Sequence, residues 1–175
     1  MRNRTLAAIL AAAMVCLAAA GASAQSGDHL IVPGVRIGAA ELEQADQGAL
    51  VRNLGEPDQT QQRGDKAWYR FGASHADGAP PDDLVVEFDL ATDTPFEIST
   101  ASPLYRMGNG LGVGSDAANV RAALGAPLCE GHNAEGDGLI VHGQVRFLTS
   151  RGIVTRLFIR KNFSAADFRA GPVHC

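Results

Sequence analysis

The sequence is poor in aromatic residues, with one Trp, two Tyr and seven Phe among 175 residues, and rich in glycine, with 20. Few large side chains and many turn-formers exclude long, heavily packed elements and predict short strands joined by many turns. Basic clusters are missing too. No run of Lys and Arg could track a phosphate backbone, and 15 basic against 19 acidic residues leave a net charge of −4. That composition excludes electrostatic nucleic-acid binding and attraction to an anionic membrane surface. An apolar run of the roughly 20 residues that a membrane span needs is also lacking. The candidate, Leu6 to Ala20, is shorter.

That stretch has another meaning. Arg2 and Arg4 form a basic start, the apolar run follows, and Ala22-Ser23-Ala24 makes an A-x-A cleavage site before Gln25. The pattern is a secretory signal peptide over 1–24, followed by a disordered leader over 25–30. Cys16 lies inside the run behind Ala13-Met14-Val15, which is not a lipoprotein-like approach. Removing the signal takes away two arginines and no acid, so the mature charge is about −6.

Of three cysteines, Cys129 and Cys175 remain in the mature chain. In an exported protein a disulfide between them is the favoured state, tying the C-terminal tail to the loop after the second helix. The same atoms, with His132 and His174, could instead make a Cys2His2 zinc site.

The chain is organised around a motif stated twice. Leu50 to Pro57 reads L-V-R-N-L-G-E-P and Val120 to Pro127 reads V-R-A-A-L-G-A-P. Gly55 and Gly125 are 125 − 55 = 70 residues apart, and at that offset Asp46 matches Asp116 and Leu54 matches Leu124. Each copy reads as a short helix stopped by a glycine in the left-handed αL conformation, with a proline behind it forbidding continuation. Ser115 is the expected N-cap of the second helix, and Asp46 a substitute cap in the first. Leu50 with Leu54, and Val120 with Leu124, give each helix one narrow apolar stripe.

Alternation then predicts strands at 66–71, 83–89 and 96–101 in the first half, and at 139–141, 144–148 and 154–160 in the second. Gln59 to Asp65 reads as a polar segment ending in a turn, Glu130 to Gly138 as a flexible acidic loop, and 164–168 as one helical turn. The expected fold class is α+β: two tandem repeats (31–103 and 104–175), each a short helix packed on an antiparallel three- to four-stranded meander. Each is too small to bury much alone.

These residues carry a family resemblance. Leu111-Gly112-Val113-Gly114-Ser115 with Val120, Leu124, Gly125 and Pro127, and Ile37-Gly38 with Leu50, Leu54, Gly55 and Pro57, resemble the exported repeat domains of the beta-lactamase inhibitory protein and BamE (SmpA/OmlA) group. The resemblance spans nearly all of the mature chain and implies a sheet face that holds a protein target. One cysteine pair is available here where the two-repeat inhibitor has one per repeat, so inhibition of a beta-lactamase is not carried over.

Sites for chemistry are scarce. Gly112 to Ala117 fits G-x-G-x-x-A, but no apolar strand precedes it and no lysine makes it a P-loop, so a flexible link into the helix is expected. Ser115 is not in a nucleophile elbow. The acids Asp82-Asp83 and Glu135 with Asp137 sit in Gly- or Pro-rich loops and read as solvated. No cofactor, metal or catalytic residue is assigned. Trp68 and Arg70 share one side of a strand and Tyr69 and Phe71 the other, and either side could be core. Arg156 and Arg160, with Lys161, form the densest positive patch. The expectation is an exported (periplasmic or secreted), non-enzymatic protein-binding module acting through a sheet face. Its candidate contacts are Trp68, Arg70, Arg156 and Arg160, and another protein is the partner. The alternative is a small hydrolase or metal-binding protein using loop carboxylates or the Cys/His tail.

Overall fold

The two helices, α1 (Gln47–Leu54) and α2 (Ala117–Leu124), are eight residues each and stop at Gly55 and Gly125. In the computed structural model, which describes residues 28–43, 46–72, 83–132 and 136–163, both glycines have positive φ (84° and 78°). Their ψ values are −173° and −150° rather than αL. This corrects the expected αL stop, and tightens it: positive φ with extended ψ is open essentially to glycine alone. At the other end Asp46 accepts the Ala49 N–H at 2.6 Å and Asp116 accepts that of Ala118 at 2.7 Å. Ser115 is therefore not the cap of α2. Its Oγ instead accepts the Gly112 N–H at 3.0 Å, fixing the turn before the helix. Helices this short are marginal alone, and each is docked by its stripe: Leu50 and Val120 are fully buried, with Leu54 and Leu124 packed beside the core.

Among the described residues everything else regular is strand. In chain order these are β1 (Leu30–Val32), β2 (Arg36–Ile37), β3 (Ala40–Glu41), β4 (Gln59–Arg63), β5 (Lys66–Phe71), β6 (Leu84–Asp89), β7 (Thr94–Thr100), β8 (Arg106–Met107), β9 (Cys129–His132), β10 (Asp137–His142), β11 (Val145–Ser150) and β12 (Ile153–Ile159). One sheet has eight strands in the order β4-β5-β6-β7-β12-β11-β10-β9, all antiparallel. The other has four, β3-β2-β1-β8, with β1 and β8 parallel.

The fold class read from the sequence is thus corrected. The described residues are sheet-dominated, with twelve strands against two short helices, and do not form a pair of helix-on-meander units. The physical reason lies at β7 and β12, which pair through Ile98↔Ile159, Ser99↔Phe158 and Thr100↔Leu157. That ladder merges all eight long strands into one sheet. Period-2 alternation points Val86, Phe88, Ile98, Phe147, Leu157 and Ile159 to one face, each fully buried. The helices and the small sheet, through Ile31 and Ile37, cover that face as one continuous core.

Two strands of the eight-stranded sheet escaped the sequence. β4 is Gln-Thr-Gln-Gln-Arg, exposed throughout, and belongs to the sheet only by backbone pairing to β5 across the Gly64-Asp65 turn. β9, Cys-Glu-Gly-His, lies where a flexible loop is expected. The leader expected over 25–30 is structured from Asp28, whose carboxylate meets Arg36 at 2.6 Å. The link at 108–114 is a tight turn rather than a flexible one: Met107 donates to the Leu111 carbonyl at 2.8 Å and Gly114 to that of Val154 at 2.7 Å. A Cβ on Gly112 would lie 2.5 Å from the Tyr105 carbonyl oxygen, so close backbone approach explains that glycine. The signal peptide, the helical turn at 164–168 and Cys175 lie outside the described residues. Among the described residues no helix is long and apolar enough to cross a membrane.

Candidate functional site

The open choice on β5 is resolved by its neighbours. Phe71 is buried, and the Tyr69 hydroxyl donates to Gln47 of α1 while its ring stacks edge-on against Phe88. Tyr69 and Phe71 therefore face the core, and Trp68 and Arg70 stand on the opposite, outward face of the sheet. On β12, Leu157 and Ile159 are buried, which puts Arg156 and Arg160 on the same outward face. The four candidate residues share one surface.

Two buried carboxylates organise that surface. Asp83 accepts from Arg70 Nε at 2.7 Å on Oδ1, and from Arg156 Nη2 at 3.0 Å on Oδ2. Glu97, on β7, accepts from Arg146 Nη2 and Arg160 Nη2, both at 3.0 Å, on its two oxygens. The carboxylate side chains are 5% and 9% exposed. Such burial is tolerated because both oxygens are matched by guanidinium donors. Arg156 also reaches Ser99 Oγ at 3.4 Å. Arg146 lies over the Phe158 ring at 3.8 Å, and Arg160 lies between Phe96 and Phe163 at 5.3 and 5.1 Å. These aromatic contacts fix the planes of the guanidiniums.

Beside this pair of triads Glu87 stands opposite Trp68 on β5 and Glu97 on β7, with Lys66 Nζ at 3.4 Å. Burial pushes the Glu87 carboxyl above the usual carboxylate range, nearby Glu97 pushes the same way, and Lys66 pulls against both.

The sequence placed Arg70, Arg156 and Arg160 correctly on a sheet but missed what they bind. Asp83 reads as solvated in a Pro-rich loop and is in fact 4% exposed, which corrects that expectation; Asp82 lies outside the described residues. Glu97 carried a usable signal, being a charged residue on the outward side of a strand whose alternate residue, Ile98, is core.

Cys129 is buried at the start of β9 and disulfide-bonded; its expected partner Cys175 lies outside the described residues, as does His174. Leu139, Val141 and Phe163 pack with Cys129 in a small second cluster on the outward side, and the Phe163 N–H donates to the Gly143 carbonyl, between β10 and β11, at 3.0 Å. No group of three or more His, Cys, Asp or Glu among the described residues is placed to hold a metal.

No family model matches the chain, and no curated protein matches it. Among solved structures it is similar to an extracellular protein containing a SCP domain from Bacillus anthracis, at 9% identity and a TM-score of 0.50, over 68% of this chain and 44% of that one. A cysteine-rich secretory protein from Staphylococcus aureus matches at 13% identity and a TM-score of 0.48, over 74% and 48%. The chain spans less than half the length of either protein. At 9% identity the first likeness is one of fold alone.

Proposed function

We propose that this chain is an exported, non-enzymatic protein-binding module that works through the outward face of its eight-stranded sheet. One observation carries the proposal. Trp68, Arg70, Arg156 and Arg160 converge on one sheet face, on the far side from the helices and the small sheet. Trp and Arg are the residue types that dominate binding energy at protein interfaces, and the ion-pair lattice holds these arginines in fixed orientations. The N-terminal signal pattern supports export, and the structurally similar Bacillus anthracis protein is described as extracellular. The resemblance to the inhibitory protein and BamE group adds a precedent for a sheet face holding a protein target. Catalysis by the buried acids has nothing in its favour, since both oxygens of Asp83 and of Glu97 are occupied by arginines.

Affinity capture from envelope extract tests this. The wild-type chain is expected to retain one protein at near-equal stoichiometry, and the double variant Trp68→Ala, Arg70→Ala to lose it while keeping its circular dichroism spectrum. Retention unchanged in the variant, or no stoichiometric protein on the wild-type chain, would contradict the proposal.

A further inference from the structure

The eight-stranded sheet ends in two edge strands, β4 and β9, and they differ. β9 has four residues, begins at the disulfide-bonded Cys129 and contains Gly131. Its Glu130 stands opposite the core residue Ile140, so it points inward, where it is held by Arg121 of α2. A short strand and an inward-pointing charge are devices by which edges avoid further pairing. β4 has neither. Its register with β5 runs unbroken from Gln59↔Arg70 to Arg63↔Lys66, and it contains no proline and no bulge. All five residues are exposed, and Gln59 to Gln62 carry no charge. Among the described residues the β4 strand pairs with β5 alone. The N–H and C=O groups along its outer side are therefore a template for another strand.

The residues of that edge, Gln-Thr-Gln-Gln-Arg, are complementary to themselves. A two-fold axis normal to a sheet sets one residue opposite its own copy. Only Gln61 in that place pairs all five positions: Gln59 with Arg63, Thr60 with Gln62, and Gln61 with itself. No like charges then face each other, because the one charge, on Arg63, lies at opposite ends of the two strands. On β5, by contrast, Arg63 stands opposite Lys66, a like charge. A neutral amide on its other side is the better neighbour.

From this self-complementarity we infer that the β4 edge takes β4 of a second copy of the chain, antiparallel about a two-fold axis between the two Gln61 residues. The pairing joins two eight-stranded sheets into one of sixteen strands. Across it, each Arg63 guanidinium donates to the amide oxygen of the second copy's Gln59, and Thr60 matches its hydroxyl to the amide of Gln62. The two Gln61 amides stack as a short glutamine ladder. Gln59, Gln61 and Arg63 stand opposite Arg70, Trp68 and Lys66, so they lie on the outward face. The outward faces of the two copies thus become continuous, with the two Trp68 residues three strand spacings apart, about 14 Å. The inference depends on β4 itself and holds whether or not the outward face binds a protein. A five-residue polar edge buries little apolar surface, so the dimer is a weak one.

Sedimentation equilibrium of the full mature chain, from about 5 to about 500 µM, tests it. The expected result is a monomer–dimer equilibrium with a Kd on the order of 10–100 µM. Gln61→Lys and Gln61→Glu each set like charges directly opposite one another at the axis. Each should weaken the dimer about fivefold while keeping the wild-type circular dichroism spectrum. Mixed in equal amounts, the two variants should form a dimer at least as tight as that of the wild-type chain, because the axis then pairs Lys with Glu. Mixing does not repair a folding defect, so this rescue separates pairing at the edge from lost stability. A monomer at every concentration, a dimer equally tight in both variants, or a mixture no tighter than its components would overturn the inference. So would a monomeric chain that loses its captured envelope protein through Gln61→Lys, since the edge would then hold a strand of another protein.

Discussion

Asp83 and Arg156 lie 73 residues apart in the sequence, and Oδ2 of the first accepts from Nη2 of the second at 3.0 Å. Together with the Arg70 contact this pins the start of β6 to β12, across β7. Removing one member of a buried ion pair leaves the others desolvated and uncompensated, which costs several kcal/mol when burial is complete. The arginines here are partly hydrated, so Asp83→Asn is expected to cost about 2–3 kcal/mol, at the low end of that range. Urea unfolding followed by circular dichroism measures it. A cost below about 0.5 kcal/mol would mean the triad is a solvated surface feature.

The two helix stops give a sharper backbone test. Gly55 and Gly125 each have open space around the position of a Cβ, so packing does not forbid a side chain there. Their backbone angles do. Gly55→Ala and Gly125→Ala should each cost roughly 1–3 kcal/mol from strain alone. Gly108 also has nothing near its Cβ position but has no positive φ, so Gly108→Ala should be close to neutral. Thermal melts of the three variants separate conformational strain from steric clash.

The helices, their stops and most of the long strands were legible because each carries a local signal. The L-G-x-P corners mark α1 and α2, and alternation such as Leu84, Val86, Phe88 against Val85, Glu87 marks β6. What was not legible lacks that signal. β4 has no apolar residue to alternate, and β9 is interrupted by Gly131. The joining of β7 to β12 depends on pairing between residues some 60 positions apart, as in Ile98↔Ile159, and no local pattern encodes it. For the same reason the arginines could be named and their counter-ions could not. Asp83 owes its burial to Arg70 and Arg156, which arrive from β5 and β12.

His142 gives a pH dependence with a definite sign. Burial pushes its imidazole below the ordinary histidine value, with Glu130 pulling weakly the other way, and its Nε2 is buried without a hydrogen-bond partner. With the folded value depressed, the stability is fully present above about pH 6.5. It is lost as pH falls from there through the folded value, because the unfolded chain takes up the proton first. Urea midpoints compared at pH 7.5 and pH 5 should therefore fall further for the wild-type chain than for His142→Gln. Equal losses would show that the imidazole is solvated.

Cys129 supplies a redox test. With the signal peptide removed, thiol titration of the denatured, unreduced chain should find no free thiol if Cys129 is paired with Cys175. Cys129→Ser should then leave one reactive thiol and lower stability by up to roughly 4 kcal/mol, the entropy of closing a loop of about 47 residues. Two reactive thiols in the unreduced chain would contradict that pairing.

Use of the outward sheet face is tested most directly by a hydrogen-exchange footprint of the chain with and without the protein it captures from envelope extract. The account predicts slowed exchange confined to β5, β7 and β12, with α1 and α2 unchanged. Slowing on the helices or the small sheet, with those strands unaffected, would contradict it.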